Sequence, residues 1–130
     1  MTKEQKQELI SEAAKALAFS YSPYSHYQVG CAVLLADGEI VSGCNVENAS
    51  FGATVCAERV AIWKAVSEGH KKFVAAAVAT KKGWYPCGMC LQVMAEFMND
   101  VPVLIVDQDQ NVTETSFKSL FPNSFSPKNF

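Results

Sequence analysis

Residues 73–106 read FVAAAVATKKGWYPCGMCLQVMAEFMNDVPVLIV, and the fold is decided there. Phe73–Thr80 is a continuous apolar run of strand length, the pattern of a strand covered on both faces. Lys81, Lys82 and Gly83 end it. Pro86 suits the first position of a helix, where its missing amide would have no partner anyway. The stretch therefore predicts a helix over about 87–99, opened by Cys87 and Cys90. Val101–Val106 is a second buried strand.

Upstream, Thr2 followed by Gln5 reads as a capping box, and Leu9, Ala13 and Leu17 recur down one face, which predicts a helix from residue 3 to about 20. Gln28–Leu35 and Ile40–Asn45 flank the turn pair Asp37-Gly38 as a hairpin. Asn48–Ala53 is loop-like. Thr54 is placed to cap a helix from about Val55 to Glu68, stopped by Gly69, with Cys56 in its first turn. Downstream, Asp107–Asn111 is a polar turn, Val112–Glu114 a short edge strand, and Ser116–Leu120 a final helical turn. No repeat or low-complexity linker interrupts this order. The expectation is one domain over residues 1–130, of the α/β class: a three-layer α/β/α sandwich around a mixed, mostly five-stranded sheet.

A chain of 130 residues buries roughly two-thirds of the surface its unfolded form exposes, so no second domain is needed. Apolar residues make up 49% and charged ones 18%, leaving a surface apolar enough to suggest subunit contacts. No apolar run approaches the ~20 residues of a membrane span, and the N-terminal segment is charged and amphipathic; a cytoplasmic protein is expected. A net charge of −2 gives no overall basic field for a phosphate backbone, which favours a small neutral ligand over nucleic acid.

The five cysteines are an odd number without a secretory signal, which points to metal binding or catalysis and away from a disulfide framework. Cys87 and Cys90, three apart at a helix start, face one ion together, and Cys56 opens another helix with 30 residues between it and Cys87. Helix N-termini favour the ionised thiol that zinc requires. Three protein ligands without a convincing fourth fit a catalytic zinc better than a structural one. Glu58, two residues past Cys56, is poorly placed as a ligand but close enough to shuttle protons for a water that zinc activates near neutral pH. Cys31 and Cys44, in predicted strands, read as small core hydrophobes. The Cys-Gly-Met-Cys segment alone is also consistent with a thiol redox or zinc-binding protein, a reading that leaves Cys56 and Glu58 without a role.

Tyr21-Ser22-Pro23-Tyr24-Ser25 with Gln28-Val29-Gly30, Gly43-Cys44-Asn45-Val46-Glu47-Asn48-Ala49-Ser50-Phe51, Val55-Cys56-Ala57-Glu58-Arg59, Ala65-Val66-Ser67-Glu68-Gly69 and Pro86-Cys87-Gly88-Met89-Cys90 resemble, in order, the motifs of the small homotetrameric cytidine deaminases. The resemblance covers nearly the whole chain. It implies zinc-dependent hydrolytic deamination of cytidine and 2′-deoxycytidine, with one Zn²⁺ per subunit on Cys56, Cys87 and Cys90 and with Glu58 as the acid/base. It further implies that Asn45 and Glu47 bind the ribose and that Tyr27 lies against the pyrimidine. The Ala57 amide would read the base carbonyl, and the Tyr85 carbonyl would accept from the departing amine. Phe51 and Phe125 would complete a neighbouring subunit's pocket, so that a homotetramer shares its active sites. Arg59, the only arginine, would offset the charge of three thiolates on one zinc. A deaminase of a modified cytosine nucleoside such as blasticidin S is the alternative, against which the Asn45-Val46-Glu47-Asn48 segment argues. Tyr85, Met89 and Leu91 depart from the family's usual residues, and Thr80–Trp84 is shorter than usual, all at the pocket rim.

Overall fold

The computed structural model of the chain describes residues 1–127 and 130. The elements run α1 (Lys3–Leu17), β1 (Val29–Leu35), β2 (Ile40–Cys44), a 3₁₀ turn (Phe51–Ala53), α2 (Ala57–Ser67), β3 (Phe73–Thr80), α3 (Gly88–Phe97), β4 (Pro102–Val106), β5 (Val112–Ser116) and α4 (Phe117–Leu120). The strands form one sheet in the order β2-β1-β3-β4-β5. Only β3 and β4 pair in parallel, across the α3 crossover; the other neighbours are antiparallel, so the sheet is mixed as expected.

Alternation along the strands divides the core in two. Ala32 and Leu34 of β1, Ala75 and Ala77 of β3 and Leu104 of β4 meet Leu9 and Ala13 of α1 on one face. Cys31 and Val33, Val78, and Val103 and Ile105 meet Ile62 and Ala65 of α2 and Met94 of α3 on the other. Each large apolar side chain fully buried here contributes roughly 1.5–3 kcal/mol relative to exposure. A register shift between Leu34 and Leu35 leaves Val74 as the extra residue on β3, and Val74 is exposed. The result is three layers, α1 against the sheet against α2 and α3.

Two glycines let the outer layers come close. A Cβ on Gly30 would stand 2.1 Å from the Ala13 carbonyl oxygen of α1. One on Gly43 would stand 2.7 Å from the Ala61 nitrogen and 2.8 Å from Val60 Cγ1 of α2. The seat of α2, which carries three of the expected site residues, is therefore bare backbone on β2.

Several boundaries differ from the sequence expectation, for local reasons. The capping box forms, with Thr2 accepting from the Gln5 nitrogen and Gln5 from the Thr2 nitrogen. But α1 ends at Leu17, because Phe19 and Ser20 bond back to Ala16 and Leu17 in tight i→i−3 turns. Thr54 does not cap α2. Val55 exchanges both backbone hydrogen bonds with Val46 and is held extended, and the Thr54 hydroxyl accepts from the Asn48 nitrogen at 3.0 Å. Cys56 is thus the N-cap of α2 instead of a residue in its first turn. Likewise Cys87 is the N-cap of α3, with Pro86 one residue outside, and α3 stops at Phe97 because Met98 is extended. β5 runs two residues past Glu114, paired along its length from Val106↔Val112 to Pro102↔Ser116.

Candidate metal centre

The two cysteine N-caps set the geometry of the site. With φ/ψ of −76°/155° and −73°/168°, Cys56 and Cys87 are extended residues at the mouths of α2 and α3, the position of greatest positive dipole. Neither side chain makes a capping hydrogen bond. One turn into α3, Cys90 is fully buried. The Cys56 and Cys87 sulfurs lie 3.9 Å apart and those of Cys87 and Cys90 3.4 Å apart. The three ligand atoms fall within 4.8 Å of one another. Tetrahedral thiolates at the usual Zn–S distance of ~2.3 Å stand about 3.8 Å from each other, so the sulfurs lie close to the spacing zinc requires. The second group of potential ligand atoms, Asp37, Glu39 and His70, has no such match. His70 Nε2 is 3.1 Å from Glu39 and its Nδ1 3.7 Å from Asp37, so opposite edges of one ring face the two carboxylates.

The electrostatics favour charge on one of the sulfurs. A hydrogen bond from the Cys90 thiol, aided by Arg59 and Cys87, outweighs partial burial and brings the Cys56 thiol down to about 5. The same interaction, together with burial, pushes Cys90 up. Arg59 donates from Nη2 to Cys56 Sγ at 3.4 Å, and its guanidinium lies 5.7 Å over the Trp63 ring one turn on. Its Nε is buried and finds no partner among the described residues. Leu91 packs as a half-buried side chain against the core and brings no second cation to the cluster.

Glu58 is 5% exposed. Burial pushes its carboxyl up to about 7, with the Cys56 charge adding and Arg59 opposing. A carboxyl poised near neutrality can both take and give a proton, which an ordinary surface glutamate does poorly at that pH. Cys31, also buried beside Glu58, has its thiol pushed up by desolvation and by the Glu58 charge and stays a core residue as expected.

Cys56, Glu58 and Cys87 open into a cavity of about 210 Å³ that Asn45, Glu47, Tyr27 and Tyr85 also line. Asn45 and Glu47 are each 8% exposed and strongly engaged by their own chain. Asn45 Oδ1 accepts from Ser20 Oγ at 2.5 Å and from the Val29 nitrogen at 3.0 Å, while its Nδ2 donates to the Tyr27 carbonyl at 2.8 Å. Glu47 accepts from the Tyr24 and Ser25 nitrogens at 2.9 and 3.0 Å and from the Ser25 hydroxyl. These bonds hold its carboxyl below the ordinary range, the Ser25 hydroxyl contributing most. One amide hydrogen of Asn45 and one lone pair of Glu47 remain for a ligand. Both residues fix the loop that carries Tyr27, besides facing the cavity.

Ala57 is buried at the first position of α2, where helix amides have no intrahelical acceptor. Phe51 and Phe125 stay outside the cavity. They are 75% and 60% exposed, Phe51 edge-on to Tyr24 and Phe125 held by its carbonyl, which accepts from Gln92 Nε2 of α3 at 2.8 Å. Among the lining residues that sequence reasoning missed are Thr80 and Trp84. Trp84 stacks on Tyr27 with centroids 4.3 Å apart and planes at 16°. A tryptophan three residues before Cys87 was the available signal.

A family model described as the cytidine and deoxycytidylate deaminase zinc-binding region matches residues 3–107. The chain is 45% identical over 124 residues to a cytidine deaminase of Halalkalibacterium halodurans, covering 93% of this chain and 94% of that one. A more distant relative is a blasticidin-S deaminase of Bacillus cereus, 31% identical over 130 residues and covering 92% and 91%. The solved cytidine deaminase of Burkholderia pseudomallei superposes with a TM-score of 0.88 at 38% identity, covering 96% of this chain and all of that one. Thiolates at zinc spacing and a family match over most of the sequence agree, and the chain belongs to the cytidine and deoxycytidylate deaminase zinc-binding family.

Proposed function

We propose that the chain hydrolyses cytidine and 2′-deoxycytidine to uridine and 2′-deoxyuridine with release of ammonia. The observation that carries this reading is the pairing of three sulfurs at zinc spacing with a buried carboxyl near neutrality, in one cavity of nucleoside scale. Zinc, which Cys56, Cys87 and Cys90 would hold, would supply Lewis-acid activation of water. The chain's own residues do the rest. The Glu58 carboxylate takes one proton from the attacking water and gives it to N3, then takes the proton of the hydroxyl now on C4 and gives it to the amine nitrogen, so that ammonia leaves as the C4 carbonyl forms. Arg59, donating to Cys56 Sγ, offsets the net −1 that three thiolates leave on a divalent ion.

Recognition follows the same division. The free amide hydrogen of Asn45 and the free lone pair of Glu47 meet the ribose hydroxyls, the Ala57 amide meets the base carbonyl, and the Tyr85 carbonyl meets the departing amine. Tyr27 supplies an aromatic wall. Phe51 and Phe125, exposed and away from their own cavity, reach a neighbouring subunit's pocket in a homotetramer with shared active sites. Pyrimidine salvage in the cytoplasm is the setting this chemistry suits. The test is direct: zinc-loaded protein mixed with cytidine changes the ultraviolet absorbance as uridine forms, with ammonia released in equal amount. No change with cytidine, and turnover of blasticidin S instead, would move the substrate to the modified nucleoside.

A further inference from the structure

The segment between β3 and α3 does more than join them. Gly83, at φ +70°, turns the chain back so that the Trp84 nitrogen donates to Thr80 Oγ1 at 2.8 Å. The Lys82 nitrogen donates to Tyr27 Oη at 3.4 Å, and the Lys82 ammonium stands 5.9 Å over the Trp84 ring, within cation–π reach. The indole thus contacts both the Tyr27 ring and a cation, with its backbone tied to a buried threonine. Although 53% exposed, it forms part of the cavity wall.

What such a wall faces follows from the chemistry of the base. In a bound cytosine nucleoside C4 must approach Glu58 and the cysteine cluster, and N1 carries the sugar. Two edges remain. The C2 carbonyl and N3 require polar partners, whereas C5 and C6 are carbon and require an apolar surface. The cavity offers carbon surface at Tyr27 and Trp84, stacked flat on each other, beside Val29, Val55 and Val78.

We infer that Trp84 is a specificity-determining residue, a second aromatic layer behind Tyr27 that limits the size of the substituent the pocket accepts at C5 of the pyrimidine. This rests on the proposed nucleoside deamination. The experiment measures kcat/KM for cytidine, 5-methylcytidine and 5-bromocytidine with wild type, Trp84→Phe, Trp84→Leu and Trp84→Ala, zinc content being checked in each. One methyl-sized group in an apolar pocket is worth about 10- to 200-fold in discrimination. The ratio of 5-bromocytidine to cytidine is therefore expected to rise tenfold or more in Trp84→Ala and Trp84→Leu, with Trp84→Phe closer to wild type. A smaller rise in both, including an equal loss on all three substrates, overturns the assignment. Wild type inactive on every nucleoside defeats the deamination reading itself, a separate result.

Discussion

Adding one methyl group at Gly43 should test whether the sheet positions the zinc ligands. The new Cβ would stand 2.7 Å from the Ala61 nitrogen, about 0.7 Å inside the 3.4 Å at which ordinary contact begins. Neither neighbour yields easily, since one atom is helix backbone and the other is branched Val60. Helix α2 must then lift from β2 by several tenths of an ångström, taking Cys56, Glu58 and Arg59 with it, while Cys87 and Cys90 stay on α3. A zinc site tolerates about 0.2 Å in its ligand distances, so the 3.9 Å spacing of the Cys56 and Cys87 sulfurs should become a poor fit. Overpacking costs roughly 1–3 kcal/mol, and misoriented but intact ligands lose roughly ten- to a hundredfold in metal affinity. Urea unfolding and zinc competition with a chelator measure the two effects. Gly38→Ala is the control: its φ of +93° makes any side chain strained, yet nothing lies within 4 Å, so it should lower stability without touching zinc affinity. Wild-type zinc affinity in Gly43→Ala would refute the claim that the α2 seat sets the ligand geometry.

Glu58→Gln should retain zinc while losing about 10²–10⁴ in turnover; near-normal turnover would remove the carboxyl from the chemistry. Cys87→Ala should lose both zinc and activity, checked by elemental analysis and the cytidine assay. Arg59→Gln keeps a donor but loses the charge on Cys56, so the basic-form limb of the kcat/KM profile should move to higher pH; an unchanged profile with full zinc would make Arg59 an ordinary helix residue. Glu47 has its carboxyl held below the ordinary 4.5 by Ser25 and Tyr24, so its contribution to stability is complete above that pH and disappears as pH falls through the folded value. Thermal melting against pH should therefore show an acid limb that Glu47→Gln flattens.

The sequence revealed the elements more readily than their ends. An uninterrupted apolar run located β3, and Asp37-Gly38 located the hairpin, because both signals are local. The position of Cys56 depended on Val55 pairing with Val46, a tertiary contact that overrode the helix signal of Thr54. β5 read as shorter than it is because Thr115 and Ser116 lack an apolar alternation, and only pairing with β4 extends it. The zinc ligands and Glu58 were legible because their chemistry needs particular residue types at particular spacings. The engagement of Asn45 and Glu47 was not, since their partners lie up to 25 residues away. Nor was the Trp84 stack, which closes across more than fifty residues of sequence and depends on the turn at Gly83.

Starting two helices with cysteines that make no capping hydrogen bond has a cost in local order. A conventional N-cap contributes about 1 kcal/mol and shields one of the first amides from solvent. At α2 and α3 that duty falls to whatever neutralises and orders the sulfurs. The first turns, residues 57–59 and 88–90, should therefore exchange amide hydrogens faster when a chelator strips the protein, while the sheet behind them exchanges as before. Metal loading would then be visible residue by residue as protection against deuterium, even in a sample that has never met a nucleoside.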